Sequence, residues 1–341
     1  MKSKTLVLLL ILFVIISVFT GLIIRHKGLE NKRRSVGVRI FSDIPLEKIW
    51  EIDIKKVEEN VTLRKKDGAW RVKEYYDYLA DFSQISELMD KLKGLTTGEE
   101  FKADKPLLKR LILMDPEDPK AKDSEKGTAL ILKDKEGRII KKIIFGKAMR
   151  QSEQGGFPAG QYIRLANKDT VYLVNQYLTI LTQGPKEWIR LEVVNVRPLD
   201  IKRIIGYKKG KIVYVLEKEK ETEKEFQLKK GPKEVKDKIR RIKDGINYLT
   251  IEGIVDPKQV IDLNKFGISE QNYIQYELFS GMIYKVYPGG KCGKESCYIK
   301  IAVSYNGKDK ELLNNADKQN RLLSCWVFKV SKWRHDSFFL P

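Results

Sequence analysis

Between Leu6 and Ile24 the chain reads LVLLLILFVIISVFTGLII, without one charged side chain. At about 1.5 Å of rise per residue, a helix of that length nearly matches a hydrocarbon core of roughly 30 Å. The run therefore predicts a transmembrane helix over residues 6–24. A cleaved secretory signal is the competing reading, because Lys2 and Lys4 give a basic start. The apolar stretch is longer than a signal core and runs directly into Arg25, His26 and Lys27 with no small-x-small cleavage pattern. An uncleaved anchor is expected, and no cysteine stands there to carry a lipid.

The flanking charges pull in two directions. Arg25, Lys27, Lys32, Arg33 and Arg34 outnumber Lys2 and Lys4, and the positive-inside tendency would hold the C-terminal side in the cytoplasm. A very short N-terminal tail has little to translocate, however, and large domains cross largely regardless of charge. The expected localisation is the inner (cytoplasmic) membrane, single-pass, with an extracytoplasmic, periplasmic body. The expected layout is a tail over residues 1–5, the anchor over 6–24, a basic linker over 25–40 and two folded units over 41–190 and 191–341.

A chain of 341 residues with 42% hydrophobic content can build real cores. Its net charge of +20 points to anionic surroundings such as lipid headgroups, cell-envelope polymers or nucleic acid. Lysine is interleaved with glutamate nearly everywhere, as in EKEKETEK at Glu217 to Lys224, so most of this charge reads as a solvated, mixed-sign surface. Nucleic acid is disfavoured as a partner. Cys292, Cys297 and Cys325 all fall late in the chain. In an oxidising compartment Cys292 and Cys297 can bridge across the turn from Gly293 to Ser296, leaving Cys325 odd; three unrelated thiols are the equal alternative. A metal centre is not expected, because the spacing is C-x4-C with one distant cysteine and the only histidines are His26 and His335.

Short patterned segments occur twice, about 150 residues apart by their positions, a spacing far beyond that of a solenoid. Pro45-Leu46-Glu47 and Pro198-Leu199-Asp200 open the two sets. Each continues with an alternating strand (Val61-Thr62-Leu63, Val213-Tyr214-Val215), an aromatic-led strand (Trp70-Arg71-Val72, Phe226-Gln227-Leu228) and an amphipathic helix. The first helix places Ile85, Leu88, Met89, Leu92 and Leu95 on one face with Asp81 or Ser83 as N-cap. The second repeats Val235, Ile239, Ile242, Ile246 and Leu249, with Pro232 suited to its first turn. The sets close on Tyr172-Leu173-Val174 and Trp326-Val327-Phe328, each followed by an aromatic, Tyr177 and Trp333. Tight-turn signals at Asp67-Gly68, Glu136-Gly137 and Asn167 to Asp169 predict hairpins and hence antiparallel pairing. Met114 to Lys126 and Gly289 to Ser296 read as surface loops. The expected fold is α+β: an N-terminal transmembrane helix and two tandem repeats of antiparallel sheet, each with a packed amphipathic helix.

No residue set stands out as catalytic, cofactor-binding or metal-ligating, and no cofactor is expected. A phosphate loop needs glycines around an anion with Lys and Ser or Thr at fixed spacing; the nearest approach, Pro288 to Glu295, has Pro at the first glycine and Glu at the hydroxyl position. Acyl-transfer chemistry wants a base beside its nucleophile, and His335 is the one histidine of the body, with no G-x-S-x-G elbow present. Tyr75, Tyr76, Tyr78 and Phe82 offer either a stacking platform or the cap of a core, and the core is favoured. Lys236, Arg240 and Lys243 read as the solvated side of the second helix.

The pattern Val61 to Val72 with its Asp-Gly turn and tryptophan resembles a known family. The Ala80-Asp81 entry into the first helix, Phe145-Gly146, and the strands Tyr162-Ile163-Arg164 and Val171 to Val174 extend the likeness, as does the N-terminal anchor. The chain is similar over roughly Phe41 to Phe339, as two copies, to the family catalogued as domain of unknown function 4340 (DUF4340). The second copy departs from the pattern, with Glu223-Lys224-Glu225 in place of the Asp-Gly turn and no Ala-Asp entry. The resemblance implies an auxiliary protein of ABC-type export systems of the kind associated with gliding motility, and implies no catalytic residues.

The expected function is accordingly a non-enzymatic, membrane-anchored extracytoplasmic binding or scaffold module, auxiliary to an ABC-type transporter. Its expected partners are the lipid bilayer through the N-terminal helix, ABC permease or ATPase subunits, and anionic envelope polymer or lipid headgroups. The alternatives are a cell-envelope hydrolase with a carboxylate pair assembled by the fold, and a protein that binds anionic polymer or lipid.

Overall fold

The computed structural model describes residues 37–150, 158–290, 292 and 297–341. The predicted membrane helix over 6–24, and the linker up to residue 36, lie outside the described residues. Among the described residues no helix is long and apolar enough to cross a membrane. The chain divides into two units, with the boundary between Ile189 and Arg190.

The first unit is built from β1 (Glu51–Lys55), β2 (Asn60–Lys66), β3 (Ala69–Val72), β4 (Tyr78–Leu79), helix α1 (Phe82–Gly94), β5 (Thr97–Lys102), the short α2 (Lys105–Arg110), β6 (Thr128–Lys133), β7 (Ile139–Arg150), β8 (Pro158–Leu165) and β9 (Thr170–Val174). The strands form one nine-stranded sheet in the order β4-β3-β2-β1-β6-β7-β8-β9-β5. Between β2 and β3, Asp67 and Gly68 both take positive φ, 52° and 74°, the two-residue turn whose twist matches that of paired strands. Ile52 and Ile54 of β1 and Val61 and Leu63 of β2 are fully buried. Asp53, on the other face of β1, is also buried and is held by Lys133 Nζ at 2.6 Å.

Helix α1 starts where the Asp81 side chain accepts a hydrogen bond from the Ser83 amide at 2.9 Å, satisfying one of the orphan donors of the first turn. It buries Ile85, Leu88, Met89 and Leu92. The helix also joins β4 at one edge of the sheet to β5 at the other. Nine strands laid flat span about 38 Å, whereas α1 is about 20 Å long, so the sheet meets both ends only by coiling around its helix.

The second unit comprises β10 (Glu192–Val194), β11 (Ile201–Lys208), β12 (Lys211–Glu217), β13 (Gln227–Lys230), α3 (Lys233–Lys243), β14 (Leu249–Thr250), β15 (Gly253–Ile254), β16 (Tyr273–Leu278), β17 (Met282–Pro288), β18 (Cys297–Tyr305), α4 (Lys310–Leu323), β19 (Val327–Val330) and α5 (Lys332–His335). Its main sheet runs β13-β12-β11-β16-β17-β18-β19-β15, and β10 pairs with β14 in a separate two-stranded ribbon. With β4 set aside, the first unit reads β3-β2-β1-β6-β7-β8-β9-β5, the same order element for element. In both units a helix leaves the edge hairpin and returns the chain to the opposite edge. The units differ where β8 and β9 are joined by a tight turn, while α4 is inserted between β18 and β19.

The α+β expectation is overturned. The described residues are predominantly antiparallel β-sheet, in which the longest helices hold only 13, 11 and 14 residues. The physical reason lies in non-local pairing. β1 pairs with β6 and β11 with β16, which fuses each group of local hairpins into a single wide sheet and leaves helix a small share of the fold. The tail of the second helix is likewise corrected: α3 ends at Lys243, and Leu249 is a strand residue.

Candidate functional site

Helix α3 carries the chemistry of the second unit on its outer side. Val235 and Ile242, seven residues apart, are fully buried and fix the helix on the sheet. Lys238 flanks that apolar stripe and is half-buried, while Arg240 and Arg241 are exposed. Tyr276 donates its hydroxyl to the Ile242 carbonyl at 3.0 Å, anchoring the last turn from below.

The end of α3 is closed by a residue from far along the chain. Ser331 caps α5, its hydroxyl accepting from the Arg334 amide at 3.3 Å. The Arg334 guanidinium then donates to the carbonyls of Asp244 and Asn247, both at 3.3 Å, and of Tyr248 at 2.9 Å. A cation at a helix C-terminus satisfies carbonyls that have no intrahelical partner. Burial lowers the Arg334 pKa from its ordinary value. The same guanidinium lies 4.7 Å from the ring centroid of Trp333, so the indole is supported from within the protein although it is 60% exposed.

Two concavities result. One, of about 460 Å³, is lined by Lys208, Lys238, Arg241, Asn272 and His335, with Gly289 and Gly290 among its walls. Gly267, at φ +66°, approaches so closely that a Cβ there would stand 2.5 Å from the Gly290 nitrogen; only glycine lets these two turns pack together. The other, of about 730 Å³, shares Lys238 and Arg241 and adds Arg240, Asn247, Trp333 and the acids Asp237 and Asp244. Lys238 and Arg241 thus stand between two hollows. Lys238 Nζ sits 3.2 Å from the Phe339 ring centroid. Asn247 presents a buried side-chain oxygen with no hydrogen-bond partner among the described residues.

Near His335, Cys292 and Cys297 are joined in a disulfide, which resolves the pairing that spacing left open. A ligand atom of His335 lies within 4.8 Å of both sulfurs, and His335 Nε2 is 2.9 Å from the Gly289 carbonyl oxygen. Thiolates are what bind metal, and both sulfurs here are committed to each other. Cys325 is exposed and outside the disulfide.

The first unit has a smaller, apolar groove of about 330 Å³ beside α1, with Ile49, Trp70, Phe82 and Met89 in its lining. Lys65 stands 5.6 Å from the Trp50 ring centroid and 5.2 Å from that of Trp70, closing one side by cation–π contact.

A family described as "Domain of unknown function (DUF4340)" matches residues 70–271, more than half of the 341-residue chain. The chain belongs to the DUF4340 family. The match begins in β3 of the first unit and ends in the second, ahead of β16. No curated protein matches, and no solved structure does.

The residues singled out from the DUF4340 sequence separate in space. Tyr78 is core and Phe82 is 64% exposed in the apolar groove, while Tyr75 and Tyr76 contact each other at 5.9 Å, so the four do not form one platform. Arg240 lines the larger of these two hollows, and Lys236 and Lys243 line neither; Lys243 reaches the Lys224 carbonyl at 3.5 Å. His335 and the Cys292–Cys297 pair do come together. Lys238, Arg241 and Trp333 as a group were not legible, because the two cations border the apolar stripe and the tryptophan follows about 90 residues later by its position; the local signal was the i, i+3 spacing of Lys238 and Arg241.

Proposed function

We propose that this DUF4340 chain is a non-catalytic, membrane-anchored binding module with an extracytoplasmic body, auxiliary to an ABC-type transport system, and that its two units are copies of one family fold. The duplication is supported by the shared strand order. The anchor is supported by the uncharged run Leu6–Ile24, and the compartment by the Cys292–Cys297 disulfide, since disulfides persist where the surroundings are oxidising. The transporter partnership is supported by the family resemblance.

The observation that carries the binding role is the make-up of the twin hollows, where Lys238 and Arg241 project between two concave walls beside a tryptophan braced by Arg334. Fixed cations and a supported aromatic face are recognition elements. The hydrolase alternative draws on Asp237 and Asp244, which line one hollow. Asp237 lies on α3 and Asp244 at its C-cap, in a lining that they share with Lys238, Arg240 and Arg241. Binding is the better account.

The test is in-cell crosslinking of the full-length protein followed by detergent purification. ABC permease or ATPase subunits should copurify, and a variant keeping residues 1–40 but lacking 41–341 should lose them. Unchanged recovery with that variant would overturn the proposal.

A further inference from the structure

The larger hollow of the second unit combines three kinds of group that seldom meet without a ligand to explain them. The first is an aromatic face, since Trp333 is 60% exposed and is braced by Arg334. A large, solvated indole costs hydrophobic free energy that burial would have recovered. The second is a set of cations, Lys238, Arg240 and Arg241, none of which makes an ion pair among the described residues. With Arg334 in the same lining they outnumber Asp237 and Asp244, which leaves a net positive field for an anion to join. The third is a pair of acceptors, the carboxylates Asp237 and Asp244. An anion satisfies the cations but not the acceptors, which need a hydroxyl or amine donor.

We infer that this hollow binds an anionic saccharide, with a sugar ring against Trp333, its carboxylate toward Lys238 and Arg241, and its hydroxyls toward Asp237 and Asp244. A ring with alternating polar rim and apolar C–H faces is the ligand that uses all three sets of groups at once. A volume of about 730 Å³ suits an oligosaccharide segment, within the range of ordinary ligand sites. The neighbouring hollow shares Lys238 and Arg241 and adds Lys208, which donates to the Pro341 carbonyl, so the cationic lining continues beyond the first sugar. The inference rests on the binding role proposed above and is independent of any transporter.

Full-length protein in detergent is titrated with oligogalacturonate, with an uncharged galactose oligomer of the same length, with polyphosphate and with a single-stranded oligonucleotide. Oligogalacturonate should bind at least about tenfold more tightly than the other three, with an affinity that falls as salt rises. Trp333→Ala and the pair Lys238→Ala, Arg241→Ala should each weaken it by about tenfold or more, and Trp333→Phe should restore much of the first loss. Only the cation pair should affect polyphosphate. Polyphosphate or oligonucleotide binding as tightly as the uronate, or an affinity unmoved by Trp333→Ala, would overturn the inference. Because only purified protein is used, that failure is distinct from a failure to recover transporter subunits.

Discussion

Lys218 is 2% exposed, and its ammonium lies over the Phe226 and Phe279 rings and hydrogen-bonds to backbone. It donates to the carbonyls of Leu199 at 2.6 Å, Glu223 at 3.0 Å and Pro198 at 3.2 Å, tying the turn before β11 to the loop after β12. Burial lowers its pKa from the ordinary value. Replacing it by methionine keeps the volume and leaves those carbonyls without a donor, so Lys218→Met should cost about 2–4 kcal/mol, read as a lower urea midpoint. Asp77 supplies the pH-dependent counterpart in the first unit. Burial acts to raise its pKa, but hydrogen bonds from Arg64, at 2.7 Å to each carboxylate oxygen, and from Lys66 outweigh it and hold the carboxyl below its ordinary value. In the folded state Asp77 therefore gives up its proton at lower pH than in the unfolded chain. Its stabilising contribution is present above the unfolded value, near pH 4, and is lost as the pH falls through the depressed folded one. Asp77→Asn should lower the denaturation midpoint at neutral pH, and the gap between variant and parent should close as the pH is taken below about 4; a gap of constant size across that range would refute the assignment.

At the level of elements, what sequence made legible was what local physics decides. The Asp67-Gly68 turn was readable because positive φ at two successive positions admits few residue types, and α1 because four of its thirteen residues bury at three- and four-residue spacing. The Lys209-Gly210 turn between β11 and β12 has the same backbone, φ 50° and 73°, but its lysine carries no turn signature and it went unread. Helix α4 was missed for a different reason. Only Ala316 and Leu323 are buried on it, so its apolar stripe is too thin to stand out among polar residues. It is held instead by polar contacts to β17 and β18, from the Tyr284 hydroxyl to Gln319 at 2.8 Å and from the Val303 amide to Asn320 at 3.0 Å. The candidate site shares that difficulty. Lys238 and Arg241 belong to α3, Trp333 to α5, and it is the reach of Arg334 to the Asp244, Asn247 and Tyr248 carbonyls that seats one helix against the end of the other, a contact no window of sequence contains.

Over the whole molecule, fold class rests on pairings between remote segments. β5 and β9 meet through Thr97 and Val174, and β15 and β19 through Gly253 and Lys329; these closures turn local hairpins into two wide sheets, which is why an α+β reading of the local pattern failed. The Cys292–Cys297 disulfide is short-range, yet it bears on where the entire body resides. If the body is extracytoplasmic, the disulfide is formed in the cell and Cys325, exposed on the second unit, is the one thiol among three cysteines able to react. A membrane-impermeant maleimide applied to intact cells should then add a single label per chain, abolished by Cys325→Ser, and two further thiols should appear only after denaturation and reduction. A body facing the cytoplasm gives the opposite pattern on both counts. The reducing interior leaves the pair as thiols, and no label is taken up until the membrane is permeabilised. One mass spectrum of the labelled protein therefore reads the side of the membrane and the state of the disulfide together, and labelling seen only after permeabilisation would remove the extracytoplasmic assignment, and with it the envelope setting in which an anionic saccharide would be met.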